Sequence, residues 1–357
     1  MPRPRVLPLD QVLAHQRRSC AALGSRLYAD VLDAVMADVA SGGVCATVLG
    51  PHRDDPFATA LPLRFLGAVH RLAIEGRAPA LAAHYPSTGG VPGPTLAADF
   101  LATVADHRPE VEERLGDGVQ TNEVGRSAAL APGYVAVARR SGLPLRILEV
   151  GASAGLNLRW DSYWHDTGET TLGDPFSGVR FVGVWQRVGG LLPRLGPVEV
   201  VERAGCDRNP LDVGSTDGRL ALRAYLWPDQ VERRARLDAA LDVASRAPVP
   251  VQQADAGAWL GERLASSPAG VATVVAHTMV WQYVAAPSRA ALRSALARAG
   301  AAATPAAPLA WLRMEPAGSV ADLRLTWWPG GEELVLGTAG YHGMPVCWGA
   351  PSPRDAG

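Results

Sequence analysis

A chain of 357 residues with 48% hydrophobic and 19% charged residues carries apolar material for two cores, and too much of it for a disordered protein. Its formal charge is −1, with acids and arginines interspersed, which excludes the basic footprint of a nucleic-acid or membrane-surface binder and points to a small-molecule partner. The chain contains no lysine, so Schiff-base chemistry, pyridoxal-phosphate anchoring and the Walker P-loop are excluded as well.

The opening residues Met1, Pro2, Arg3, Pro4 and Arg5 lack the apolar core of a signal peptide, and no apolar run reaches about 18 residues, so a cytoplasmic protein is expected. Val12, Leu13, Leu23, Leu27, Val31, Leu32 and Val35 recur at near-helical spacing and predict helix across 10–40. Ser41, Gly42 and Gly43 break the pattern. Leu63, Phe65, Leu66, Val69 and Leu72 predict a second helix over 61–75, and the Pro- and Gly-rich stretch 86–94 a loop. A further helix is predicted from Thr95 to about His107. The polar run 120–126 then leads into one ending near Arg140. Residues 1–140 are thus expected to form a helical domain. The four cysteines, Cys20, Cys45, Cys206 and Cys347, are scattered without a C-x-x-C pair, and no metal site is expected.

The pattern changes at Leu145. Apolar runs at 145–150, 198–201, 249–253, 271–276 and 308–314 alternate with amphipathic stretches at 228–246, 256–265 and 287–299, which predicts βαβ units around a parallel sheet. Residues 323–328 and 334–336, joined by Pro329, Gly330 and Gly331, predict an antiparallel hairpin. The expected fold class is α/β: a Rossmann-like sheet over 141–357, with an insertion near 160–197, behind the helical domain.

The most informative segment is 146–158, an apolar strand, a turn of tiny residues and an expected helix start. Such a turn lets a ligand approach the backbone beyond the carboxyl end of a strand. Glycines stand at its first and fifth positions, Gly151 and Gly155, which fits the dinucleotide fingerprint poorly. Gly151-Ala152-Ser153-Ala154-Gly155 matches the hydrolase elbow G-x-S-x-G. With Glu149 two residues before it, the turn also resembles motif I of class I S-adenosylmethionine-dependent methyltransferases, with Ser153 in place of the usual middle glycine. A helical segment precedes the turn, where a hydrolase would have strands. The next strand ends on Asp207 and the third on Asp255-Ala256, and all three strand ends fit that family in order.

The resemblance to the methyltransferases implies S-adenosyl-L-methionine as cofactor. It places Glu149, Gly151, Ser153, Gly155 and Asn157 at the cofactor turn, Asp207 on the ribose hydroxyls, and Asp255 with Ala256 at the adenine. It implies methyl transfer to a small molecule, the alternatives being a serine hydrolase (Ser153, Asp255, and His342 or His277) or a protein that keeps the pocket without methylating. The chain also resembles a family of unknown function catalogued as DUF2332, through segments 120–126, 149–157, 206–212, 227–230, 277–283 and 311–316.

His277 follows the fourth apolar run, where this fold carries reactive residues, and with Tyr283 it is the expected catalytic group, His277 as general base. Trp281 and Gln282 complete an expected wall of the substrate pocket. Asn122, Glu123 and Arg126 are expected to reach over the opening from the other side as a lid. Trp227, Pro228, Asp229 and Gln230 read as a helix start, with Pro near its first turn.

Overall fold

The computed structural model describes residues 6–188 and 192–355. Residues 1–5, on which part of the targeting expectation rests, lie outside the described residues, as do 189–191 within the expected insertion. Two compact units divide the chain, one of Met1–Thr121 with Gly214–Ala235, the other of Asn122–Val213 with Arg236–Gly357. Among the described residues no single helix is long and apolar enough to cross a membrane.

The described part of the first unit is helical. The stretch expected as one helix over 10–40 is two, Leu9–Ala22 and Arg26–Ala40, because Gly24 takes a left-handed φ of 88° between them. Ser25 then caps the second helix, its hydroxyl oxygen accepting the Tyr28 N–H at 3.3 Å. Asp229 tightens this cap, accepting the Ser25 hydroxyl at 2.7 Å and the Leu27 amide at 3.2 Å. That network accounts for Asp229: it serves the N-terminus of Arg26–Ala40, a contribution of about 1 kcal/mol. Trp227 joins Tyr28, Phe65 and Phe100 in the core of this unit.

The second unit is mixed α/β. Its main sheet begins with β1 (Leu145–Val150), six residues buried along their whole length. A small three-stranded sheet follows, made of β2 (Trp164–Asp166), β3 (Thr171–Leu172) and β4 (Arg180–Val182). The main sheet resumes with β5 (Trp185–Gln186), β6 (Val200–Asp207), β7 (Val251–Gln253), β8 (Ala272–Thr278) and β9 (Leu309–Ala317). It ends with β10 (Val320–Trp328), β11 (Glu332–Ala339) and β12 (Val346–Trp348). Nine strands lie in the order β5-β12-β11-β10-β9-β8-β1-β6-β7. Strands β7, β6, β1, β8 and β9 run parallel, whereas β9 to β12 form an antiparallel meander, of which the expected hairpin is one part.

Two sequence expectations shift here. The helix Arg126–Ser141 belongs with the sheet and not with the preceding helices, so the units divide at 121/122 where the sequence suggested 140/141. The reason is its buried face, Leu130, Tyr134 and Val137, and Gly133, where a Cβ would lie 2.6 Å from a methyl of Leu312 on β9. Second, the helix expected after the small-residue turn is only a 3-10 stretch, Asn157–Ser162, with non-helical backbone at Arg159.

The two faces of the sheet differ in what covers them. Helices Ala256–Arg263 and Ala286–Ala302 pack on the side of Leu148, Val150 and Val275. Side chains alternate along a strand, and Glu149 pairs with Ala276 in register. Glu149 and Ala276 therefore share one face, while Val150 and His277 share the other.

Candidate functional site

The strand order reverses between β1 and β8, since β6 and β7 continue the chain on one side and β9 on the other. In open α/β sheets ligands bind beyond the carboxyl ends of the strands at such a point. The small-residue turn stands there, and its backbone is unusual at every second residue: φ is 70° at Gly151, 52° at Ser153 and 67° at Gly155. Ser153 occupies a left-handed conformation that glycine adopts freely and serine adopts at a cost of about 1–2 kcal/mol. Ser153 thus takes a backbone conformation typical of glycine. Side chains at the flanking glycines are barred by packing, because a Cβ on Gly151 would collide with Val280 and one on Gly155 would lie 2.9 Å from Val251.

Asp207, at the tip of β6, holds this turn. One carboxylate oxygen accepts the Ser153 amide at 3.0 Å and the other the Asn209 amide at 3.0 Å. Each oxygen can accept a further bond, so the carboxylate remains competent for a pair of hydroxyls. Glu149 is buried, and its Oε2 makes no hydrogen bond. Burial pushes its carboxyl up to about 8; the charge of Arg126 opposes the rise and that of Asp207 adds to it.

Asn122, Glu123 and Arg126 come to this same turn, though not as a lid from another domain. Asn122 Oδ1 accepts the Leu156 amide at 2.8 Å, and Asn157 Nδ2 donates to the Glu123 carbonyl at 3.3 Å. Asn157 Oδ1 in turn accepts the Ser127 hydroxyl at 2.8 Å. Arg126 donates from Nε to the Tyr341 carbonyl at 3.2 Å, and its Nη1 lies 3.5 Å from the Thr278 hydroxyl at the end of β8. The segment is a fixed wall of the turn, tied at three places within one unit.

His277 is placed otherwise than the general-base reading requires. The ring is 1% exposed and stacks on Trp281, with centroids 5.4 Å apart and planes at 17°, while Trp311 leans against it. Its Nδ1 lies 2.6 Å from Glu315 Oε1, which also accepts the amides of Val280 at 3.1 Å and Trp281 at 3.2 Å. His277 is therefore an interior anchor on the face opposite Glu149. Residue alternation along 271–278 would have shown the opposed faces; Glu315, 38 residues further on, gave no local signal. The loop it anchors carries Met279 at a left-handed φ of 55°, and Val280 presses on Gly151. Gln282 and Tyr283 stand exposed at the outer end of that loop, Tyr283 by 52%.

Asp255 has a structural duty. It caps Ala256–Arg263, its Oδ1 accepting the amides of Gly257 and Ala258 and the Ser288 hydroxyl. Its partial burial works against ionisation, but these donors and Arg208 hold its carboxyl below the ordinary range. Ala256 is simply the first residue of that helix.

One expectation follows from the turn itself. Ser153→Gly should leave folding stability within about 1 kcal/mol, relief of the left-handed serine offsetting the greater freedom of glycine when unfolded. Ser153→Val should lose about 1–3 kcal/mol, since a β-branched residue is strained there. Urea unfolding of both variants checks this; equal stability of the two would show that the turn is not rigid.

No curated protein and no solved structure matches the chain. A family model described as an uncharacterized protein conserved in bacteria (DUF2332) matches residues 10–348, and the chain belongs to that family.

Proposed function

We propose that the protein is an S-adenosylmethionine-dependent methyltransferase acting on a small molecule, with a Rossmann-like cofactor half formed by β7, β6, β1, β8 and β9. The observation that carries this reading is the placement of two acids, Glu149 and Asp207, on either side of a turn with three left-handed residues at the switch point. The fit rests on the buried Glu149 oxygen without a donor, which suits an ammonium group, and on the remaining acceptor capacity of Asp207, which suits ribose hydroxyls. The turn 151–155 would lie against the cofactor, with Asn157 holding the wall formed by Asn122, Glu123 and Arg126. S-adenosylmethionine supplies an already electrophilic methyl group, so the task of the protein is to align an acceptor and take up its proton. Asp255, engaged as the cap of Ala256–Arg263, has a lesser part in this scheme than the adenine contact expected of it.

Calorimetry and thermal shift with S-adenosylhomocysteine test the proposal. A ligand at 100 times its dissociation constant adds about 2.7 kcal/mol to stability, and no stabilisation at millimolar ligand would defeat the cofactor assignment. Asp207→Ala should weaken binding at least about tenfold, since a charge-assisted hydrogen bond is worth about 1.5–3 kcal/mol. Unchanged affinity in the folded variant removes Asp207 from the site.

A second reading, a serine hydrolase, draws on the left-handed Ser153 within G-x-S-x-G, because a nucleophile elbow is strained in the same sense. Against it, Asp255 caps a helix and His277 is held by Glu315. Labelling of Ser153 by a fluorophosphonate would favour the hydrolase over the methyltransferase.

A further inference from the structure

The Pro- and Gly-rich stretch 86–94 of the first unit is pinned where it begins. Pro86–Thr88 forms a single 3-10 turn. The Thr88 hydroxyl donates to the Ala82 carbonyl at 2.7 Å, and the amides of Gly90 and Val91 donate to the carbonyls of Tyr85 and Ala83 at 2.9 and 2.8 Å. A Cβ on Gly90 would collide with the Ala83 carbonyl, so only glycine fits where the chain doubles back. Ser87, in the middle of the turn, is half-buried, and its Oγ lies 2.8 Å from Nε2 of His70 on the helix Leu61–Ile74. The other ring nitrogen, Nδ1, lies 3.0 Å from the carbonyl of Ala224, the last residue of the helix Thr216–Ala224. A carbonyl only accepts, so Nδ1 carries the proton, and in the neutral ring Nε2 keeps a lone pair for the serine hydroxyl. Burial pushes the imidazole down to about 4, although its hydrogen bond to Ala224 opposes the shift, and the ring is neutral at neutral pH. Tyr85 packs edge-on against it with centroids 5.3 Å apart. Gly67, on the same helix, lets Tyr225 approach, since a Cβ there would lie 2.8 Å from that ring. The imidazole is thus held in one tautomer and one orientation.

We propose that Ser87 is a nucleophile for acyl transfer from activated esters, with His70 as its base and the Ala224 carbonyl orienting that base. A serine on one imidazole nitrogen and a fixed acceptor on the other is the arrangement that activates a hydroxyl. As Ser87 Oγ attacks the acyl carbon, its proton passes to His70 Nε2 and the acyl oxygen takes up the displaced electron pair. That oxygen then returns the pair and expels the leaving group, which takes the proton from Nε2. Water cleaves the serine ester by the same path and releases the carboxylic acid. The Ser87 amide donates to no protein acceptor among the described residues, and a nucleophile's own amide is a suitable donor to such an oxyanion. The orienting group sets the class of substrate. A helix-end carbonyl carries only about half a negative charge, where a full triad has a carboxylate, and a buried imidazole is a weak base. The hydroxyl is therefore modestly activated and requires an electrophilic acyl group, an aryl ester or thioester in place of an amide. The inference is independent of the methyltransferase reading, because every residue in it lies in the first unit.

The test is rapid mixing of the full-length protein with 4-nitrophenyl acetate. A burst of about one equivalent of nitrophenolate per chain is expected, followed by slower turnover. Mass spectrometry of the quenched protein should find the acetyl group on Ser87; the absence of lysine removes a common competing site. Ser87→Ala should abolish burst and label while circular dichroism shows an intact fold, and Ser87→Cys should restore the burst. His70→Gln should slow it by about 10²–10⁴-fold. No burst in the wild type, an undiminished burst in Ser87→Ala, or acetylation confined to other residues overturns the proposal. An unchanged rate in His70→Gln overturns the role of the base. Should His70→Gln not fold, the burst in heavy water decides, since a rate no slower than in ordinary water overturns general-base catalysis. A fluorophosphonate separates this serine from the small-residue turn: label on Ser87 supports the proposal, and label on Ser153 alone overturns it.

Discussion

Replacing Glu315 by alanine is expected to cost about 3–5 kcal/mol of folding stability. One buried oxygen of this side chain accepts three donors, the His277 ring and the amides of Val280 and Trp281. Truncation leaves all three without a partner in a place closed to water, and each unsatisfied group costs about 1–3 kcal/mol before relaxation. Glu315→Gln keeps an acceptor oxygen of similar reach and should cost less than half as much. Urea unfolding at constant m-value distinguishes the two variants. The loss should also reach the small-residue turn, because the anchored loop presses Val280 onto Gly151. A loss below about 1 kcal/mol in Glu315→Ala would mean that His277 is not an interior anchor, and its candidacy as a base would reopen.

Most of the sheet was legible because its signals are local. The run Leu145–Val150 reads as strand from its own apolar character, and the acid-tipped turn after it reads from spacing alone. The helices Leu61–Ile74 and Leu96–Asp106 follow from periodicity within a turn or two of the expected ends. What stayed hidden depends on partners distant in sequence. The apolar face of Arg126–Ser141 is visible, but whether it meets helices or a sheet is decided by Leu312, far down the chain. Likewise Gly214–Ala235 returns to the first unit because Trp227 and Asp229 complete a core and a cap some 200 residues earlier, as the Ser25 bond across 204 positions records. The short strands of 160–197 carry too few residues for an alternating pattern to stand out. At the site, the residue types at Glu149, Ser153 and Asp207 were readable, whereas the role of His277 turned on a single carboxylate supplied by the neighbouring strand.

Glu149→Gln is expected to raise folding stability at alkaline pH and to leave it unchanged in acid. In the folded protein burial holds this carboxyl near 8 against an ordinary 4.5, so between those values the native state keeps a proton that the unfolded chain releases. The folded form binds more protons, and stability must fall as pH rises through the window. The full penalty, on the order of 5 kcal/mol, is present above about pH 8 and vanishes below about pH 4.5. Glutamine has nearly the same shape and never ionises, so the variant should match the wild type at pH 4.5 and exceed it by several kcal/mol at pH 8.5. Urea midpoints across that range give the comparison directly. Parallel curves for the two proteins would show that Glu149 ionises normally, through Arg126 or through water, and the site would then lose its one strongly perturbed acid. If the curves diverge as expected, the carboxylate is costly for the empty protein to maintain, and a cationic ligand that draws it into the ionised form should release a proton on binding. Calorimetry in buffers of differing ionisation enthalpy would register that proton for S-adenosylmethionine near pH 7, and Glu149→Gln should eliminate it.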